Sequence, residues 1–190
     1  MLPKTISMCT LLGMLALTTS AQPEPDGGQP VRRSDSSMRE LKSTHLFTIT
    51  IKLHPTIEMG DTPAGRRRIF AVSGGEFAGS RIRGTIMPLI GSDLLLVRAD
   101  GSAQQDVRML LKTDDGALVL MTYRGVRHAS DEVNARIARG EQVTGSDYYL
   151  RTAPFFETSS PKYSWINRIV AVSVGERRGD SVVYEVFEIL

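Results

Sequence analysis

Cysteine is almost absent from this 190-residue chain, and the only one is Cys9. If the segment that holds it is removed, the remainder has no disulfide, no thiol nucleophile and no sulfur ligand for a metal. Histidine is scarce too: His45 and His54 are nine positions apart, which puts them on opposite faces of a straight strand, and His128 stands in a loop region. No metal site is expected from them. Charge of one sign is also lacking, with 23 Lys and Arg against 21 Asp and Glu. Binding to a nucleic-acid backbone requires clustered basic excess, and only Arg66, Arg67 and Arg68 form a run, which reads as a solvated strand end. No nucleic-acid partner is expected. Neither a Gly-x-Ser-x-Gly elbow nor a phosphate-cradling loop occurs. Gly74, Gly75 and Gly79 lead into a strand, so a dinucleotide would lack the helix N-terminus that holds its pyrophosphate, and no cofactor is expected.

Long apolar runs are missing as well. The longest near the start, Thr10 to Leu17, comes after Lys4 and precedes the small residues Thr19, Ser20 and Ala21. It falls short of the roughly 20 apolar residues that span a bilayer, and has the layout of an export signal cleaved after Ala21. The expectation is a signal peptide over 1–21, a secreted or periplasmic location, and no stable membrane insertion after cleavage. Residues 22–42 are rich in Pro, Gly, Ser and charge, with Pro23, Pro25, Gly27, Gly28 and Pro30, and are expected to form a flexible tether. The remaining stretch, 43–190, is long enough for one domain with one hydrophobic core.

That domain is dominated by short segments of period two, which mark strands with one face in and one face out. In His45 to Leu53, Phe47, Ile49, Ile51 and Leu53 share a face, and Thr48, Thr50 and Lys52 share the other. Further strands are expected at Arg68 to Ser73, Arg81 to Met87, Asp93 to Arg98, Gln104 to Lys112, Ala117 to Arg124, Tyr148 to Thr158, Ile166 to Val174 and Ser181 to Ile189. Asp100-Gly101 and Asp115-Gly116 supply tight hairpin turns. Ser130 to Ala138 is the one helix signal, with Ser130 as cap and Gly140 as stop. One short helix cannot cover so many strands, so the sheet must close on itself. The expected fold is all-β: a single up-and-down antiparallel barrel of eight to ten strands with one short helix.

Several spaced motifs agree with one family. Glu58-Met-Gly-Asp-Thr-Pro-Ala-Gly65, Gly74-Gly-Glu-Phe-Ala-Gly79, Arg98-Ala-Asp-Gly101, Asp106-Val-Arg108, Thr113-Asp-Asp-Gly-Ala117, Arg151-Thr-Ala-Pro-Phe-Phe-Glu-Thr158 and Tyr163-Ser-Trp-Ile-Asn167 occur in order. The chain resembles, over residues 43–190, the family called domain of unknown function 3237. The resemblance implies a small β-barrel and brings no established common activity. Where that family's pattern has Gly-Gly-x-Asp-Trp, this chain has Ile90-Gly91-Ser92-Asp93-Leu94, keeping Asp93 and losing an aromatic neighbour.

Charged residues on inner barrel faces are the candidates for chemistry, because a charge there must be paired or exposed to a water- or ligand-filled mouth. Glu76, Asp93, Asp106, Arg108 and Arg151 are expected to converge there, with Glu76, Asp93 or Asp106 as acid or base and Arg151 as oxyanion partner. The bland alternative for Asp106 and Arg108 is an internal ion network, and for Glu76 a carboxylate capping backbone donors at a glycine bulge. Tyr123, Tyr149, Phe155, Phe156, Tyr163 and Trp165 are candidate pocket walls, with core packing as the alternative, Phe155 and Phe156 above all. Three functions are open. One is an exported barrel holding a small apolar or aromatic oxygen-bearing molecule, clamped by Arg108 or Arg151. Another is a cofactor-free isomerase, cyclase or lyase, and the third a structural surface protein with no cavity.

Overall fold

The computed structural model describes residues 40–141 and 143–190. The expected signal segment and all but the last residues of the expected tether lie outside them. Among the described residues nine strands succeed one another: β1 (Ser43–Leu53), β2 (Ile57–Thr62), β3 (Gly65–Ala78), β4 (Arg83–Val97), β5 (Ala103–Thr113), β6 (Leu118–His128), β7 (Tyr149–Glu157), β8 (Ala171–Arg178) and β9 (Ser181–Ile189). A helix α1 (Asp131–Ala138) sits between β6 and β7, and a 3-10 helix (Pro161–Arg168) between β7 and β8. Every pairing is antiparallel, in the order β1-β9-β8-β7-β6-β5-β4-β3-β2, and β1 also pairs with β3. That last pairing closes eight strands into a barrel and leaves β2 as an extra strand on β3. Closure removes the open sheet edges that would otherwise invite aggregation.

Closure needs a glycine. At Gly75 (φ +142°) an added Cβ would lie 2.0 Å from the carbonyl oxygen of Thr50 on β1, so only a residue without a side chain lets β3 meet its partner. The same stretch carries a bulge, with register shifts at Lys52/Leu53 on one side and Ala71/Gly75 on the other. A bulge adds a residue to one strand and changes which positions face inward. Thus Phe70 and Val72 are buried before it and Phe77 after it.

The same device explains one difference from the sequence expectation. Arg81–Met87 and Asp93–Arg98 are parts of one strand, β4, interrupted by a wide bulge between Ile86 (opposite Leu111) and Gly91 (opposite Met109). The looped-out residues include Leu89, which is exposed and has φ +64°. Ile86 is buried before the bulge, and Asp93 lines the interior after it. A second difference lies at Ile166–Val174. Pro161 opens a 3-10 helix that buries Tyr163 and Ile166, three apart, and the strand begins only at Ala171.

One half of the barrel is packed solid. Phe47 meets Phe77 edge-on at 5.5 Å and Phe156 at 5.8 Å between ring centres. Leu111, Val119 and Ile166 fill the space around them with no more than 1 % exposure. The 3-10 helix caps this end: Asn167 takes the Thr158 amide on Oδ1 and donates Nδ2 to the Thr158 carbonyl, both at 2.9 Å. Tyr163 donates its hydroxyl to Asp115 in the β5–β6 turn (3.1 Å), and Lys162 donates to the same carboxylate (2.6 Å). These bonds hold the Asp115 carboxyl well below the usual carboxylate range.

A candidate active site in the open end of the barrel

The other end is open. A hollow of about 1160 Å³ is lined from the late part of β1, β4, β6 and β8 and the early part of β3, β5, β7 and β9. Helix α1 runs along its rim. Ser130 caps that helix, accepting the Val133 amide at 3.2 Å, and Asn134 accepts a hydrogen bond from Arg127 of β6 at 2.9 Å.

The chemistry of the wall changes with depth. Among the deepest lining residues of their strands are Asp93 (β4), Val107 (β5), Tyr123 (β6) and Tyr184 (β9). Phe70 stands opposite Asp93, an apolar belt of Leu95, Ala103, Leu150 and Val182 stands in register with Arg68, Arg127 and Arg177, and Arg66 and Arg178 lie further toward the mouth. An apolar hollow with a few convergent polar groups is the usual form of a small-molecule site.

Asp93 is the group most altered by its place. Burial pushes its carboxyl up to about 7; a hydrogen bond from the Asp106 amide to its Oδ1 (3.1 Å) opposes that, and the negative charge of Asp106 reinforces it. Near neutrality it is therefore divided between acid and base, the condition in which one carboxyl group can both give and take a proton. Tyr123 and Tyr184 are buried and stand edge-on, with ring centres 5.6 Å apart. Burial drives both phenols up, so both remain protonated. A protonated phenol keeps a hydroxyl proton that it can donate. Gln105 also lines the hollow, and its Oε1 has no hydrogen-bond partner among the described residues. The missing side chain of Gly125 makes room for it: a Cβ there would lie 2.8 Å from that oxygen.

Of the residues proposed from sequence, the hollow gathers Asp93 and Tyr123. The expected convergence of Asp106, Arg108 and Arg151 does not occur. On β5 the buried positions are Ala103, Gln105, Val107, Met109 and Leu111, so Asp106 and Arg108 point outward. Asp106 pairs there with Arg124 of β6 at 3.6 Å, not with Arg108. On β7 the buried set is Leu150, Thr152, Pro154 and Phe156, which sends Arg151, Tyr149 and Phe155 outward. Arg151 lies over the Tyr149 ring at 5.0 Å and donates to the Leu150 carbonyl. Glu76 is exposed on the outer face of β3. Phe156 packs in the solid half, Tyr163 is bound to Asp115, and Trp165 carries the Arg81 guanidinium 3.5 Å above its ring, all at the closed end.

The residues that sequence reasoning missed are Gln105, Tyr184, Arg127 and the pair Arg66 and Arg68. Strand parity points to them: Gln105 shares the face of Val107, Met109 and Leu111, and Arg66 and Arg68 share the face of Phe70 and Val72. Among the described residues no cluster of three or more His, Cys, Asp or Glu could hold a metal.

Known proteins share this architecture. The model of the family described as Protein of unknown function (DUF3237) matches residues 41–189. A UPF0311 protein of Rhodopseudomonas palustris is 33% identical over 150 residues, 79% of this chain and 97% of its own. Its crystal structure superposes with a TM-score of 0.76 over 80% of this chain and 99% of that one. A beta-barrel like protein of Acinetobacter baumannii is 38% identical, with a TM-score of 0.69 over 80% of this chain and 97% of that one. More distantly, a protein named hydroalkoxylation enzyme phnH, from Penicillium herquei, is 29% identical over 127 residues, 66% of this chain and 68% of its own.

Proposed function

The chain belongs to the family described as Protein of unknown function (DUF3237), and from that premise we propose that its open barrel end is the active site of a cofactor-free acid–base enzyme. The substrate is a small, largely apolar aromatic molecule bearing oxygen, and Asp93 is the group that moves the proton. The observation that carries this is a carboxyl group held near neutrality by burial, at the deep end of a hollow about 1160 Å³ in size. A relative named as a hydroalkoxylation enzyme supports the same kind of chemistry. Hydroalkoxylation adds an alcohol O–H across a carbon–carbon double bond, which is an isomerisation when both groups sit in one molecule.

In that reaction protonated Asp93 delivers its proton to the less substituted alkene carbon. The other carbon is captured by the substrate's hydroxyl oxygen, and the proton leaving that oxygen returns to the Asp93 carboxylate. No electrons are exchanged and no co-reactant is consumed. A phenol proton of Tyr123 or Tyr184 donates to a substrate oxygen and holds it in place. The apolar belt excludes water, which would otherwise trap the cation.

The test uses 2-allylphenol and related hydroxylated aryl alkenes in heavy water, with product mass measured. The expected result is a cyclised isomer carrying one deuterium on carbon, formed by the native protein and not by Asp93→Asn. Failure of every such alkene to take up carbon-bound deuterium would count against the proposal, as would an unimpaired Asp93→Asn variant.

A further inference from the structure

The charge of the mouth bears on a property of the substrate that the acid–base reading leaves open. Arg127 lies on the inward face of β6 and is only partly exposed. Its contacts are neutral: the side-chain oxygen of Asn134 at 2.9 Å and the ring of Tyr148 at 5.3 Å from the guanidinium carbon. A cation removed from water normally has an anion beside it, because desolvation without compensation is costly. Here two of the neighbours are themselves cations. Burial lowers the Arg127 guanidinium from its ordinary value; Tyr148 opposes this, and the positive charges of Arg177 and Arg68, each a smaller effect than that of Tyr148, push the same way as burial.

The nearby carboxylates are committed elsewhere. Glu58 is shared by Arg66 (3.3 Å) and Arg68 (3.0 Å), Glu176 is paired with Arg178 (3.0 Å), and Glu141 with Arg139 (2.7 Å). Arg177 uses its Nε on the Gly179 carbonyl. The rim therefore holds cations that its own acids do not balance, arranged around an apolar shaft.

We propose that the substrate carries a carboxylate on its apolar body and that Arg127, helped by Arg68 and Arg177, binds that carboxylate at the mouth. The guanidinium fork suits the two oxygens of a carboxylate. Tyr123 and Arg127 are four residues apart on β6, or about 13 Å at roughly 3.3 Å per residue. A molecule of two or three rings held at its acid end then puts its far end beside Asp93. This rests on the hollow being the binding site, and the experiment separates failure of one claim from failure of the other.

Two fluorescent probes share a skeleton and differ in charge: 8-anilinonaphthalene-1-sulfonate is anionic, and N-phenyl-1-naphthylamine is neutral. At low salt the full chain is expected to bind the anionic probe about tenfold more tightly or better. Arg127→Gln should abolish that preference while still binding the neutral probe, which also shows that the barrel is intact. Arg127→Lys should retain part of it, and Arg124→Gln, on the outer face, all of it. 1-Naphthoate should displace the anionic probe, and inorganic phosphate at the same concentration should not. Equal affinity for the two probes, an unaffected Arg127→Gln variant, or displacement by phosphate alone would overturn the carboxylate site while leaving the hollow as a binding site. Binding of neither probe would overturn both.

Discussion

Asp93 couples the proton it holds to the stability of the fold. Its carboxyl has a higher pKa in the folded chain, about 7, than the ordinary value of 3.8, so the native state binds the proton more tightly than the unfolded state does. The associated stability is complete below about 4, declines as pH rises through 7, and in the limit amounts to something on the order of 4 kcal/mol. Asp93→Asn keeps an acceptor for the Asp106 amide and cannot ionise. The variant is predicted to be no more stable than the native protein at pH 4 and clearly more stable at pH 8, as measured by urea denaturation at the two pH values. A difference that does not change with pH would mean that Asp93 titrates normally. At this same scale the sequence is informative, and on β5 the parity that matters is carried by the apolar residues. Val107, Met109 and Leu111 mark the inner face, which excludes Asp106 and Arg108 on the alternate positions. The run Arg66 to Arg68 looks like a solvated strand end, yet its first and third members share a face with Phe70 and Val72.

Between strands the deciding features are bulges and the glycines that permit them. Asp93 faces inward because the bulge at Met87–Ile90 exchanges inner and outer positions along β4, and no periodicity in the sequence announces such an exchange. On β7 parity is illegible for another reason: Tyr149 and Phe155 on one face are as large and apolar as Leu150 and Phe156 on the other. The β1–β3 seam makes a sharp prediction. Gly75→Ala places a methyl 2.0 Å from the Thr50 carbonyl and is expected to cost more than about 3 kcal/mol or prevent folding. Gly116→Ala also has an unfavourable φ, +89°, but meets nothing within 4 Å, and is expected to cost only about 1 to 2 kcal/mol. Denaturation midpoints compare the two; equal losses would mean that the seam does not depend on close approach.

Over the whole molecule the two barrel ends do different things. The hairpins and the closed barrel are legible from alternation and turn residues, and so is α1 with its Ser130 cap; the number of strands agrees only because β4 reads as two segments while β2, with no apolar alternation, reads as none. The motif Thr113–Ala117 forms the expected turn, whereas Tyr163 and Trp165, expected as pocket walls, belong to the closed end, which Asp115, Tyr163 and Asn167 seal. Spacing alone does not separate a binding constraint from a mechanical one, and at this end the constraint is mechanical. Phe47→Ala, in the packed half, is predicted to cost about 3 to 5 kcal/mol in urea denaturation without altering the affinity of the hollow for N-phenyl-1-naphthylamine under native conditions. A parallel loss of probe affinity in the folded variant would show that the two halves are not independent. The open end is where the acid, the phenols and the arginines gather, and its proposed function depends on one ionisation. A carbon-13 NMR titration of the Asp93 side-chain carboxyl, assigned by loss of its signal in Asp93→Asn, measures that ionisation directly. The account predicts a midpoint close to 7; a midpoint near the ordinary value of 3.8 would contradict it.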